Sequence, residues 1–513
     1  MKQIYLSLFF SLISSFAQAI VINGLTFHLN PVEYTAELFV GNYSGDIIIP
    51  EIVEYEGSNY TVVGMISGVF KDCSGVTSVV IPSTVTSIPP AAFENCIGLT
   101  TLTIPNSVSS LGEFVFAGCG NLKSIVLSNN ITSIPNSAFQ DCSQLETVTI
   151  PSNVKRIGSS SFSGCSSLTS ISLPDGITSI DFGAFCESGI KSIKIPNGVT
   201  SIGGSAFLKC SDLESIEIGN SVNDIGLMAF KGCNNLSSVY ISDLVKWCGI
   251  SFYEKESNPL YYGRHLYLNG SEIVNLFIPE QVTKITNYAF CGCRGIKNVK
   301  IGDKVKSIGI EVFYECRNIN TVVIGSNLTD IGNRSFYGCY DIDSISFGEK
   351  VSRIGVEAFY DCSSLETIKL PNSVRDIEES AFEGCENVGT IIIGSGIENI
   401  DLYAFARTYK LKQLYCYAEE VPSTSSTAFY FEEYVMLYVP EASVESYKKK
   451  NPWKNFMSIV PINDITGIGT CEKYPCSIIR TYTIDGQETE KQRKGLNILK
   501  KQDGTAIKVY RKK

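Results

Sequence analysis

Eighteen cysteines, two histidines and 52 carboxylate side chains are the residues of this 513-residue chain best suited to chemistry. Thiolates and imidazoles bind metals and act as nucleophiles, and paired thiols form disulfides. The spacing of the cysteines points elsewhere. Cys73, Cys96, Cys119, Cys142, Cys165, Cys210, Cys233, Cys293, Cys316, Cys339, Cys362 and Cys385 each lie three residues after a phenylalanine. Residues placed this way along stacked coils form a column, with neighbours held near the interstrand spacing of about 4.8 Å. A disulfide needs Cβ atoms about 3.5–4.5 Å apart. The column therefore reads as buried thiols filling a small slot. Ser188 and Thr408 take that slot in two further units, which fits a size requirement better than a bonding one. His28 and His265 are far apart and outside the repeat frame, so neither a zinc set nor a histidine-based triad is expected. Cys291 and Cys293 are too close for a zinc hairpin, and Cys471 and Cys476, off the repeat, are the pair best placed for a disulfide. No phosphate loop or dinucleotide fingerprint appears. A carboxylate pair of the glycosidase kind stays open, but the Asp and Glu residues scatter over variable, exposed slots. No catalytic residue, metal or cofactor is expected.

The elements that position these residues are repeats. Phe recurs at 70, 93, 116, 139, 162, 185, 207, 230, 290, 313, 336, 359, 382 and 405, in steps of 23 apart from one of 22 and one of 60. A unit runs from Ala92 through Cys96, Leu99, Leu102 and Ile104 to Pro105, then Val108, Leu111 and Gly112. Its alternating end predicts a short strand; Pro105 ends it. Val108 and Leu111 turn a second apolar pair inward. Gly112, Gly158, Gly203 and Gly332 suit a tight bend of positive φ. One coil cannot bury its own apolar face, but stacked coils can. The fold class expected is an α/β-type repeat solenoid, mostly short parallel β-strands, with about sixteen coils in a rod on the order of 75 Å long.

Both ends need caps. Ile47-Ile48-Ile49-Pro50 resembles a degenerate first coil behind a polar segment, Asn23 to Gly45. Glu441 to Lys450 reads as a short helix stopped at Asn451-Pro452, with Val444, Tyr447, Trp453 and Phe456 as an apolar lid. The 60-residue step holds an enlarged coil, about 243–272, rich in Trp and Tyr. It is expected to fold on itself and bury its aromatics; the alternative is a contact site.

Lys2, the apolar stretch Ile4 to Phe16 and Ala17-Gln18-Ala19 form a secretory signal, predicting an exported chain that begins at Ile20. No later stretch is apolar and long enough to span a membrane. The net charge of −10 disfavours nucleic acid as a partner. From Gly486 to Lys513 nine Lys and Arg face three Asp and Glu, so the terminus is locally basic.

On each strand the residues flanking the buried centre face solvent. One such column is nearly all Ser and Thr. The other brings Lys194, Glu217, Tyr240, Phe277 and Lys300 to its centre, and this mixture of charge and aromatics is the expected contact patch.

The phrase Ala-Phe-x-x-Cys-x-x-Leu-x-x-Ile-x-Ile-Pro-x-x-Val-x-x-Ile-Gly, from about Val69 to Tyr417, resembles the leucine-rich repeats of BspA-like bacterial surface proteins. The resemblance implies a right-handed solenoid, secreted or surface-attached, with roles in adhesion or host-protein binding. The short tail strands are similar to terminal modules of exported Bacteroidetes proteins, some of which act as sorting tails. The organisation expected is a signal peptide (1–19), N-terminal cap (20–66), solenoid (67–417), C-terminal cap (418–462), then a linker and small basic module (463–513). The function expected is adhesin-like binding of a protein ligand, a host matrix or plasma protein, or of a glycan. The alternatives are a non-catalytic scaffold rod and a carbohydrate-active enzyme.

Overall fold

Each coil is short, and hydrogen bonds to its neighbours hold it on three sides. The structure, a computed structural model, describes residues 19–429 and 434–462 and, beyond them, the backbone of four strands between 478 and 511. The first side is the predicted strand: Thr101–Thr103 pairs in parallel with Ser124–Val126, Ser124 opposite Thr101. The second side lies at the Val-x-x-Ile position. There two-residue strands such as Arg156–Ile157 and Ser179–Ile180 form a second parallel ladder that the sequence reading did not resolve. The third side carries the phenylalanine and is built of turns. Its amides still bond along the stack: Phe93 N–H donates to Val115 O at 2.8 Å and Phe139 N–H to Ser161 O at 2.8 Å. The result is a β-solenoid of about 18 turns with few helices.

The turned side needs left-handed backbone. Positive φ falls two residues before and two after the phenylalanine, as at Ala91 (54°) and Asn95 (59°), or at Ser137 (52°) and Asp141 (58°). This corrects the role assigned to Gly112, Gly158, Gly203 and Gly332, none of which is left-handed. Their constraint is close approach: a Cβ at Gly158 would sit 2.7 Å from Ile134 O of the preceding coil. The chain turns elsewhere and is squeezed here.

The core is a set of columns. The phenylalanine rings are fully buried and stack face to face from Phe70 to Phe230 and again from Phe290 to Phe429, with centroids 5.2 Å apart at Phe70–Phe93 and 5.1 Å at Phe336–Phe359. Offset stacking adds about 0.5–1.5 kcal/mol per pair beyond area burial.

At the N-terminal end, the segment expected to be polar is a five-stranded sheet of 19–22, 25–30, 35–38, 58–65 and 52–55 in that order, burying Leu25, Phe27, Ala36 and Leu38. Its strands alternate buried and more exposed residues, as in Leu25–Asn30 and Thr35–Leu38, between turns that carry Asn and Gly. Ser44–Ile48 pairs in parallel with Gly75–Val80, making the first rung. At the other end, Glu441–Ser443 and Val444–Tyr447 form a short helical stretch. Tyr447, Trp453 and Phe456 are buried, and both Trp453 and Phe456 meet the edge of Phe429, the last ring of the stack.

The chain divides into two compact units at Val460/Pro461. In the second, an antiparallel sheet of four strands takes the order 488–489, 478–483, 495–501, 506–511, where two or three strands were expected. The signal residues 1–18, the linker from 463 and Cys471 and Cys476 lie outside the described residues.

Because the Phe139 ring contacts Phe116 on one side and Phe162 on the other, Phe139→Ala should cost about 3–5 kcal/mol, a core-cavity value. Chemical denaturation checks this. A loss below about 1 kcal/mol would mean that the ring column carries little of the stack's stability.

Candidate functional site

The row chosen from sequence begins as expected. Lys194, Glu217 and Tyr240 lie side by side in register on one parallel ladder. Lys194 Nζ sits 2.8 Å from a Glu217 carboxylate oxygen, both largely exposed. The hydrogen bond to Glu217, then its charge, holds the Lys194 ammonium above its ordinary value. An exposed pair of this kind contributes little stability. The next member is not Phe277. Tyr267, from the enlarged coil, pairs with Tyr240 and stacks on it at 4.8 Å. The hairpin strand Ser271–Glu272 closes that sheet, and Phe277 and Lys300 start a separate four-stranded ladder, where they are paired with each other. Phe277 is 63% exposed. The five residues therefore form two groups.

A groove of about 670 Å³ runs along the first group, crossing five coils from Thr147 past Ser170, Ser172, Ser192, Lys194 and Glu217 to Tyr240. Its cause is a break in the ladder. Ile104 N–H donates to Val126 O and Ile195 N–H to Glu217 O, but Ile150 and Leu173 make no such coil-to-coil bond, and only Ser170 bridges to Ser192. The break coincides with the 22-residue step. One residue is missing between Phe185 and its strand, and the turn is tightened at Gly189, where a Cβ would collide with Ser166 O. The irregular step was visible in the sequence; the groove beside it was not.

The cysteine column lies in the core. All twelve members are free and buried. Most donate Sγ–H to the carbonyl of the phenylalanine one coil back: Cys119 to Phe93 O at 3.0 Å, Cys142 to Phe116 O at 3.1 Å, Cys316 to Phe290 O at 3.1 Å. Size is thus half of the requirement; the slot also wants a donor. Thr408 Oγ1 also donates, but to Phe405 O of its own coil, at 2.8 Å, while Ser188 Oγ lies 3.4 Å from Cys210 Sγ. Burial pushes the Cys210 thiol up to about 11 and Cys293 to about 12, and lifts Cys96, Cys119 and Cys165 well above the thiol range.

The enlarged coil does fold inward in part. Trp247 is buried and donates Nε1–H to Ala289 O at 2.8 Å. Asn258, fully buried, donates to Tyr288 O and Ala289 O and accepts from Leu260 N–H. Its segment replaces a phenylalanine rung, with Glu256 O accepting from Phe230 N–H. Tyr253 stays exposed. His265 pairs with Glu272 at 2.6 Å across the hairpin, and His28 packs near Phe39; the two imidazoles share no site.

Parallel ladders on a repeating coil, closed by caps and carrying a polar groove on a sheet face, define a leucine-rich-repeat solenoid. The chain belongs to the BspA-type leucine-rich repeat family: the family described as a BspA type leucine rich repeat region matches residues 65–185, 144–258, 263–366 and 330–451. Among solved structures, a leucine-rich repeat protein of Bacteroides ovatus is 26% identical over 80% of this chain and 99% of its own, with a TM-score of 0.48. A leucine rich cell surface protein of Faecalibacterium prausnitzii is 28% identical over 80% and 95%, with a TM-score of 0.38. The pneumococcal vaccine antigen PcpA is 16% identical over 88% and 99%, with a TM-score of 0.37. No curated protein matches the chain. Leucine-rich-repeat proteins are generally non-catalytic, and those of the BspA type are typically surface-associated. Among the described residues no helix is long and apolar enough to cross a membrane.

The thiol shifts predict a stability that falls in alkali. Below the unfolded thiol value of about 8.5 the column is protonated in both states and contributes in full. As pH rises from there toward the folded values, the unfolded chain ionises first and stability is lost. The melting temperature should drop between about pH 8 and 10, and less in a Cys142→Ser/Cys165→Ser variant. Equal drops in both proteins would show that the column is not the titrating group.

Proposed function

We propose that this chain is an exported, non-catalytic recognition protein that binds a protein partner, a host matrix or plasma protein, through the groove beside Lys194, Glu217 and Tyr240. The observation that carries this reading is the opened ladder. At the groove floor the amides of Ile150 and Leu173 lack the coil-to-coil bond that Ile104, Ile195, Ile218 and Ile278 make on this face; Ile81, Leu127 and Phe347 lack it as well, but only at Ile150 and Leu173 does the gap lie in the groove. Unpaired backbone donors and acceptors suit a polypeptide ligand, which brings the same groups in extended form. The walls add selectivity. Tyr240, backed by Tyr267, is an aromatic anchor of the kind that dominates binding hot spots. The exposed Lys194–Glu217 pair can exchange its mutual contact for charges on the partner at small cost. A groove crossing five coils fits a segment rather than a compact small molecule. Export rests on Lys2, the apolar stretch to Phe16 and the Ala17-Gln18-Ala19 site.

Two measurements test the reading. Surface capture of the chain from Ile20 to Lys513 against a panel of matrix and plasma proteins should give saturable binding that Tyr240→Ala weakens by about tenfold or more, a loss of roughly 2 kcal/mol. Saturable binding that is indifferent to Tyr240→Ala and Lys194→Ala would remove the groove from the account; no binding to any member would favour a spacer rod. Amino-terminal sequencing of the protein recovered outside the producing cell should begin at Ile20, and an intact Met1 there would contradict the signal.

A further inference from the structure

A second candidate site lies in the enlarged coil, away from the sheet face. The helix Leu260–Gly263 ends at Arg264, whose φ of 58° turns the chain sharply. Its carbonyl accepts from Arg294 N–H at 2.6 Å and from Gly295 N–H at 3.2 Å, which ties the two arginine backbones together. Arg294 directly follows Cys293, and Arg317 directly follows Cys316, so Arg317 occupies the same place one coil on. Three guanidinium groups thus gather along one edge.

Their partners are unequal. Arg317 is paired with Glu315 at 2.9 Å and lies over the Tyr340 ring, while its buried Nε has no hydrogen-bond acceptor. Among the described residues, Arg264 and Arg294 have no carboxylate partner. Elsewhere on the solenoid the arginines are matched: Arg334 with Glu357, Arg353 with Glu378, Arg375 with Glu398, Arg407 with Asp361. Burial, and then the positive charges of Arg264 and Arg317, depress the Arg294 pKa. A cavity of about 330 Å³ opens between these groups, lined by Asn234, Tyr261, Tyr262, Arg264, Arg294 and Glu315. Its base is Gly292, where a Cβ would come within 2.9 Å of Tyr261 Cα.

We propose that this cavity binds an oxyanion, a carboxylate or sulfate, carried on a ligand the size of a monosaccharide. Two unpaired guanidinium groups offer planar forks that carboxylates and sulfates accept in bidentate fashion. The Asn234 amide adds a donor at the rim. The rings of Tyr261 and Tyr262, edge to face at 5.2 Å, supply an apolar wall for the body of the ligand. The volume lies at the small end of the range for ligand pockets, about 300–1,000 Å³. Glu315 is the one lining carboxylate; it is paired with Arg317, and its charge also reaches Arg294, where the positive charges of Arg264 and Arg317 outweigh it. This site and the sheet groove are lined by different residues, so either can fail alone.

Calorimetric titration of the chain from Ile20 to Lys513 tests the proposal with four probes: glucuronic acid, glucose 6-sulfate, inorganic sulfate and glucose. The two acidic sugars should bind at one site per chain and glucose should not. Binding of inorganic sulfate as tight as that of the acidic sugars would overturn the sugar-sized part of the proposal. Arg264→Asn, which keeps a residue tolerant of positive φ, and Arg294→Gln should each weaken the acidic sugars roughly tenfold. Glu315→Gln should strengthen them, because it removes a repelling charge and frees Arg317. Far-ultraviolet circular dichroism and melting confirm that the variants fold. No binding of either acidic sugar, or binding unchanged in the two arginine variants, overturns the proposal.

Discussion

A 23-residue coil has no way to satisfy itself. Its strand has no partner within the coil, its apolar face has nothing to lie against, and its turned side carries amides that find acceptors only on the next coil. All three needs are met by one neighbour of the same shape at one fixed separation. Phe93 shows the coupling in a single residue: its amide bonds to Val115 O, its ring stacks between Phe70 and Phe116, and its carbonyl accepts from Cys119 Sγ. The three separations cannot be tuned independently. Coil-to-coil hydrogen bonds hold the coils near the interstrand spacing of about 4.8 Å, and the rings, with centroids 5.2–5.5 Å apart, stack within that rise.

That constraint explains what could be read from the sequence. A residue whose role repeats in every coil is over-determined, so the phenylalanine and cysteine columns, the strand centres and the lid formed by Tyr447, Trp453 and Phe456 were all legible. Roles that depend on backbone path were not. Gly112 and Gly158 were expected to bend the chain, but the bends fall on either side of the phenylalanine: before it on mixed types such as Ala91 and Ser137, after it mostly on Gly, Asp or Asn such as Gly118, Asp141 and Asn95, a signature away from the glycines of the strand turn. The second ladder was hidden because two residues per strand give no alternation to detect. The row Lys194–Glu217–Tyr240 followed from register alone, whereas its continuation through Tyr267 depended on how the enlarged coil folds.

Departures from the period are where this fold acquires individuality. In a uniform stack every surface position sees the same surroundings, and a ligand would find no reason to prefer one coil. The missing residue before the strand at Ser192 opens a groove without breaking the core, since Ile171 and Ile193 stay buried on either side. The enlarged coil substitutes Trp247, Asn258 and Leu260 for a phenylalanine rung, and Asn258 succeeds there because its amide and carbonyl find buried partners. Core continuity is preserved at both places, so the surface there is free to differ.

Charge follows the same logic. Side chains 23 residues apart lie next to each other along the stack, where opposite charges attract and like charges repel. The solenoid uses this at Lys71–Glu94, Lys194–Glu217, Arg334–Glu357 and Arg375–Glu398, each a pair separated by one coil. Arg294 and Arg317 are also separated by one coil and carry the same sign. Glu315 pairs with Arg317 and, among the described residues, the Arg294 guanidinium beside Arg264 has no ion pair of its own. A chain of net charge −10 has carboxylates enough to neutralise such a cluster. Stacking like charges opposes folding, and the cluster sits where the enlarged coil has already broken the repeat, which is the arrangement expected when an anion from outside completes the pairing.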